Sequence, residues 1–128
     1  MIIKSPQTLV SEALKVVKTI TPEEALKLAS ENKCNLIDIR DEVELQKLGS
    51  IENSFHIPRG LLEFSIQPEG AYVQNNQLDL NKEIVLFCAA GGRSALAAKT
   101  LKEMGFDNVS HIEGGFGLMK QKGFKIKT

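Results

Sequence analysis

This chain lacks the features that mark several protein classes. Only two of its 128 residues are cysteines, Cys34 and Cys88, and they form no C-x-x-C pair. That sets aside a disulfide framework and a zinc site, while leaving a single disulfide open. Histidine is equally scarce: His56 and His111 have neither a close cysteine nor each other in sequence, so both read as structural, and no metal is expected. There is no apolar run long enough to span a bilayer, and Met1-Ile2-Ile3-Lys4-Ser5-Pro6 has no signal-peptide core. The expectation is a soluble, cytoplasmic protein with no membrane partner. Charge of one sign is missing too, since 16 basic residues balance 16 acidic ones. A general nucleic-acid binder normally shows a basic excess, so no nucleic acid is expected. A local anion site remains compatible with zero net charge. Repeats, low-complexity tracts and long linkers are absent.

What is present suits one domain. The chain is 42% hydrophobic, and its length supports a core without metal or disulfide staples. Leu9, Val10, Ala13, Leu14 and Val17 recur at helical spacing, predicting an amino-terminal helical extension over 1–15 that docks on the body over 16–128. Thr21-Pro22-Glu23-Glu24 is a helix start in which Thr21 caps, Pro22 takes the first position and Glu24 completes a capping box. Asn35 to Ile39 reads as a strand, Asp41 to Gly49 as a short capped helix, and Ser54 to Ile57 as a weaker strand. A helical turn is expected within Gly60 to Phe64, and the polar stretch Gln67 to Asn81 reads as a surface loop. Ile84-Val85-Leu86-Phe87 is a strand buried on both faces. A helix from Arg93 to Met104 follows, with Leu96, Ala97, Thr100, Leu101 and Met104 as its inner stripe. Val109 to Ile112 is a strand, and Phe116 to Gln121 the last helix. The alternation of strands and helices predicts an α/β fold, a mainly parallel sheet with helices on both faces. Ligand sites in such folds lie beyond the carboxyl ends of the strands. That rule points to Asp38-Ile39-Arg40, to Cys88 with its loop, and to Glu113-Gly114-Gly115.

The segment Cys88-Ala89-Ala90-Gly91-Gly92-Arg93-Ser94 carries the most chemistry. Small residues and glycines between a buried strand and a helix let successive N–H groups converge into an anion-binding nest. The helix amino terminus adds its positive dipole end. A thiol at the base of such a cradle ionises readily, because positive surroundings lower cysteine pKa values to about 3.5–7.5. Arg93 adds a cation at the rim. The residues therefore predict a nucleophilic Cys88 facing an anionic substrate held by Ala89, Ala90, Gly91, Gly92, Arg93 and Ser94. Asp38 and Arg40 read as a supporting ion pair, Arg59 as a rim cation or a surface residue, and Cys34 as an inert packed thiol.

Cys88-Ala89-Ala90-Gly91-Gly92-Arg93 resembles the C-x-x-G-x-R loop of the rhodanese (thiosulfate sulfurtransferase) family. Leu36-Ile37-Asp38-Ile39-Arg40 is similar to the family's early D-x-R strand, and Glu44 through Pro58 to its E-x-x-x-G-x-I…I-P segment. Gly105-Phe106-Asp107-Asn108-Val109 with Glu113-Gly114-Gly115 resembles its G-[FY]-x-x-V…x-G-G ending. Ser50 and Asn53 depart from the commonest residues, histidine and glycine, and Phe116 and Met119 stand where tryptophan is frequent.

The resemblance implies a three-layer single-domain fold with about five central strands. It also implies two-step sulfur transfer without a cofactor, the intermediate being a persulfide on Cys88. The donor would be thiosulfate or a similar small anionic sulfur compound, and the acceptor cyanide, a small thiol or a protein thiol. Two other readings stay open: a non-enzymatic scaffold or persulfide carrier, and a phosphatase. Phosphatases related to this fold place one residue more between cysteine and arginine than the four that stand here.

Overall fold

The computed structural model describes all of residues 1–128. In chain order the elements are α1 (Pro6–Leu14), β1 (Lys18–Ile20), α2 (Pro22–Ser30), β2 (Cys34–Asp38), α3 (Glu42–Leu48), β3 (Ser50–Ile51) and β4 (Phe55–His56). A single 3-10 turn, Arg59–Leu61, leads into α4 (Leu62–Ser65) and then α5 (Ala71–Gln74). The chain closes with β5 (Glu83–Phe87), α6 (Gly92–Glu103), β6 (Val109–Ile112), α7 (Gly115–Gln121) and β7 (Ile126–Lys127). β1, β6, β5, β2 and β4 form, in that order, a five-stranded sheet whose neighbours all pair in parallel. β3 and β7 form a separate antiparallel pair that sequence patterning did not reveal, being two residues each.

Central position explains the continuous apolar run of β5. Ile84 and Leu86 face one layer with Ile37, Ile39, Ala97, Ala98 and Leu101, while Val85 and Phe87 face the other with Leu36, Phe116 and Met119. Strand side chains alternate between faces, so a strand covered on both must be apolar throughout. All four β5 residues from Ile84 to Phe87 are completely buried, each stabilising the fold by roughly 1.5–3 kcal/mol.

The helices begin where their caps dictate. Thr21 Oγ1 accepts from Glu24 N–H at 3.1 Å while Glu24 Oε1 accepts from Thr21 N–H at 3.1 Å, the reciprocal box expected for α2. Three expectations need correction. The stretch Gln67–Asn81 is not simply a surface loop: it contains α5, and Tyr72, Val73 and the buried Leu78 pack on the core. The inner stripe of α6 is Ser94, Ala95, Ala97, Ala98 and Leu101, whereas Met104 is 46% exposed. Small residues win there because α6 lies close between the sheet and α1, with Val10 Cγ2 within 3.7 Å of where a Gly92 side chain would start. For α1 itself, Ala13 is buried but Leu9 and Leu14 are exposed, so its docking stripe is narrower than its hydrophobic pattern.

Candidate functional site

The carboxyl end of β5 delivers Cys88 to the middle of the sheet edge, and the chain then turns sharply into α6. Gly91 makes the turn: its φ is +112°, in the left-handed region, where a β-carbon is unfavourable. That conformation aims its N–H inward, 3.1 Å from Cys88 Sγ, and Ser94 N–H reaches the same sulfur at 3.4 Å. Two backbone donors and the start of a 12-residue helix thus converge on one atom, an arrangement that favours negative charge there. Cys88 is 1% exposed. Ala89, Gly91 and Gly92 are half-buried and Ala90 is exposed, so the loop forms the outer wall.

The loop is held from beneath by the turn after β6. Phe116 N–H donates to Cys88 O at 2.7 Å and Gly117 N–H to Ala89 O at 3.2 Å. These bonds occupy the Cys88 and Ala89 carbonyls, while the N–H groups of Gly91 and Ser94 face the sulfur. Close approach requires glycine at 115, where a β-carbon would stand 2.4 Å from Cys88 O.

The three arginines of the chain are all engaged with carboxylates. Arg93 forms a two-pronged pair with Glu44 (Nη1–Oε2 2.8 Å, Nη2–Oε1 2.9 Å), joining α6 to α3. Hydrogen bonding from Arg93 holds the Glu44 carboxyl down at about 2 despite partial burial. Glu44 also accepts from Asp41 N–H at 2.9 Å, capping α3. Arg93 is therefore tied to the frame and is not a free cation at the rim. Arg40 is fully buried with Asp38, Nη2–Oδ2 2.8 Å, and donates to Gly49 O at 3.0 Å while lying 3.9 Å above the Phe116 ring. Arg59 pairs with Glu63 at 2.7 Å and reaches Thr100 Oγ1 at 3.5 Å. Asp38, Arg40 and Arg59 surround the site end of the sheet without a hydrogen bond to Cys88.

Sequence reasoning missed four residues here: Glu44 as the partner of Arg93, Gly115 as the loop's support, and His111 with Thr19. His111 is 2% exposed on β6. Its Nδ1 lies 3.0 Å from Ser94 Oγ and its Nε2 2.9 Å from Thr19 Oγ1, while Ser94 Oγ lies 3.5 Å from Cys88 Sγ. Burial pushes the His111 pKa below its usual value, favouring a neutral ring. Parallel pairing of β6 with β5 on one side and β1 on the other brings these groups together, a relation that linear spacing does not display.

Cys34 lies at the opposite end of the sheet. It pairs with Glu83 at the start of β5, and five further strand residues at about 3.3 Å each put it roughly 16 Å from Cys88 along the strand. A disulfide needs Cα atoms within about 7 Å, so these two cannot pair. Burial first, and Glu83 second, push the Cys34 thiol up to about 11.

Residues 21–122 match the family model described as Rhodanese-like domain. A Rhodopseudomonas palustris protein of unknown function, described as a possible tyrosine phosphatase, is 39% identical with a TM-score of 0.85, covering 99% of this chain and 97% of that one. The polysulfide-sulfur transferase homodimer of Wolinella succinogenes is 34% identical with a TM-score of 0.73, covering 94% of this chain and 85% of its own. A candidate sulfur carrier protein of Bacillus subtilis, YrkF, is 34% identical over 89 residues, 70% of this chain, and the chain spans only 43% of that relative's length. The family match, the five-stranded parallel sheet and the cysteine-bearing loop at its centre agree: this chain belongs to the Rhodanese-like domain family.

Proposed function

We propose that this protein transfers sulfane sulfur through a persulfide on Cys88, from thiosulfate or a similar donor to a thiol or cyanide. The observation that carries this reading is the convergence of Gly91 N–H and Ser94 N–H on a buried sulfur at the mouth of α6. The Cys88 thiolate attacks the outer sulfur of the donor. A new S–S bond forms at Sγ, the donor's own S–S bond breaks, and its electron pair leaves with sulfite. The terminal sulfur then bears the negative charge, which the loop amides stabilise as an oxyanion hole would. An acceptor thiolate attacks that terminal sulfur, releasing Cys88 as thiolate. No metal or organic cofactor enters either step. Ala89, Ala90, Gly91, Gly92 and Ser94 supply the cradle, Arg93 braces it through Glu44, and Asp38, Arg40 and Arg59 support the surrounding frame. The relatives named for polysulfide-sulfur transfer and for sulfur carriage support this class of chemistry.

The description of the Rhodopseudomonas relative favours testing phosphoryl transfer as the second reading. Two features oppose it. Only four residues separate Cys88 from Arg93, and Arg93, whose fork would grip a phosphoryl group, is committed to Glu44. The test is intact mass spectrometry after exposure to thiosulfate and, separately, polysulfide. The protein gains the mass of one sulfur atom, cyanide removes it, and Cys88→Ser abolishes the gain while Cys34→Ser does not. Sulfur retained in the Cys88 variant, or turnover of p-nitrophenyl phosphate without sulfur loading, overturns the proposal.

A further inference from the structure

We infer that His111 is a positioning residue for Cys88, acting through Ser94: its Nδ1–H donates to Ser94 Oγ and thereby turns the Ser94 hydroxyl proton toward the Cys88 thiolate. This rests on the reading of Cys88 as the sulfur-bearing nucleophile. The geometry is a continuous chain from Thr19 Oγ1 through His111 Nε2 and Nδ1 to Ser94 Oγ and Cys88 Sγ, with steps of 2.9, 3.0 and 3.5 Å. Cys88, Ser94 and His111 are at most 2% exposed, so the interior members have little access to water.

Counting protons gives the chain a direction. The Ser94 hydroxyl has one proton and three acceptors in reach: His111 Nδ1, Cys88 Sγ and, at 3.2 Å, Gly91 O. Burial disfavours the charged imidazole, and the neutral ring carries one N–H. With that proton on Nε2, Nδ1 takes the serine proton and the sulfur loses a donor. With it on Nδ1, Nε2 accepts from the Thr19 hydroxyl and the serine proton is free for the sulfur. A negatively charged sulfur selects the second arrangement, because hydrogen bonds to ionised acceptors are roughly twice as strong as neutral ones. A protonated thiol selects the first: S–H donates to Ser94, Ser94 to Nδ1, and Nε2–H to Thr19.

Passing between the two states shifts each proton one place along the chain. The thiol proton moves to Ser94, the serine proton to Nδ1, the Nε2 proton to Thr19, and the threonine proton to water at the exposed edge strand β1. The ring never holds two protons in either end state. Of the charged groups at this end of the sheet, Arg93 is paired with Glu44 from α6 and α3, and Arg40 with Asp38 at the end of β2, whereas Glu113, which follows β6, is exposed and has no ion-pair partner.

The experiment uses the full chain carrying Cys34→Ser, so that thiolate ultraviolet absorbance reports Cys88 alone, with imidazole nitrogen NMR for the His111 tautomer. The expected tautomer is Nδ1–H when Cys88 is ionised and Nε2–H when it is protonated. Ser94→Ala and His111→Phe each reduce the thiolate fraction about tenfold at a fixed pH, as expected for losing one hydrogen bond to a charged acceptor. The double variant is no worse than Ser94→Ala alone, since both changes break one chain. An Nε2–H tautomer beside an ionised Cys88, or additive effects, overturns the inference. If His111→Phe does not fold, the tautomer in the parent protein and the Ser94→Ala titration decide. Sulfur loading separates this from the reading beneath it. Loading that survives at high pH with unchanged tautomers sinks only the relay, whereas no loading at any pH sinks the role of Cys88.

Discussion

Replacing Gly115 by alanine tests how far the loop depends on its support. An added β-carbon would stand 2.4 Å from Cys88 O and 2.8 Å from both the carbonyl carbon and the oxygen of Ala89. All three are backbone atoms, so no side chain can rotate out of the way. The residue also has φ +56°, which costs a residue with a β-carbon about 1–2 kcal/mol. Overpacking adds about 1–3 kcal/mol, for a destabilisation of roughly 2–5 kcal/mol against a total of about 5–15 kcal/mol for an ordinary domain. Relief of the clash moves the loop outward, and the Phe116 and Gly117 bonds to its carbonyls lengthen. The amides then swing off the sulfur. Losing one preorganised donor of this type costs about 10²–10³-fold in rate, so sulfur loading should fall by about that factor in molecules that remain folded. Denaturant unfolding gives the first quantity and the time course of mass gain the second. Parental stability together with parental loading would refute the argument that this glycine sets the cradle.

Gly91→Ala separates strain from clash, since a β-carbon there meets nothing nearer than Gly114 N at 3.7 Å; we expect a loss of about 1–2 kcal/mol from the positive φ alone, read by urea midpoint, with slower loading. Glu44→Gln should lower stability by about 1 kcal/mol at neutral pH, because the pair with Arg93 is partly exposed. The folded carboxyl is held at about 2, below its ordinary 4.5, so its contribution is complete above pH 4.5 and disappears as pH falls toward 2; parent and variant unfolding curves should converge over that window. Asp38→Asn strands the Arg40 guanidinium in the interior, where one nitrogen, Nη1, already lacks a partner; a loss of about 3–5 kcal/mol is expected in chemical denaturation.

Much of the architecture was legible because its causes are local. The Thr21 and Asp41 caps, the apolar run Ile84–Phe87 and the breaks at Gly49 and Gly105 each write a boundary into a few adjacent residues. The cysteine loop was legible for the same reason, as its glycines and the helix start are contiguous. What stayed hidden depends on pairing across the sheet. Nothing in the order of the letters joins Thr19 to His111, 92 positions away, or Glu44 to Arg93, 49 positions away; parallel strands and a crossover helix create both. The buried face of α6 is not marked by its largest apolar residues, because close packing against α1 and the sheet selects small ones, Ser94, Ala95, Ala97 and Ala98.

The placement of the two thiols at opposite ends of the sheet bears on how a loaded molecule empties. On the proposed mechanism, a persulfide on Cys88 would have no second thiol within reach among residues 1–128 to discharge it as hydrogen sulfide and close an internal disulfide. The captured atom would wait for a visitor. Its dwell time would then follow the concentration and reach of outside nucleophiles, making release bimolecular and sparing the cargo in their absence.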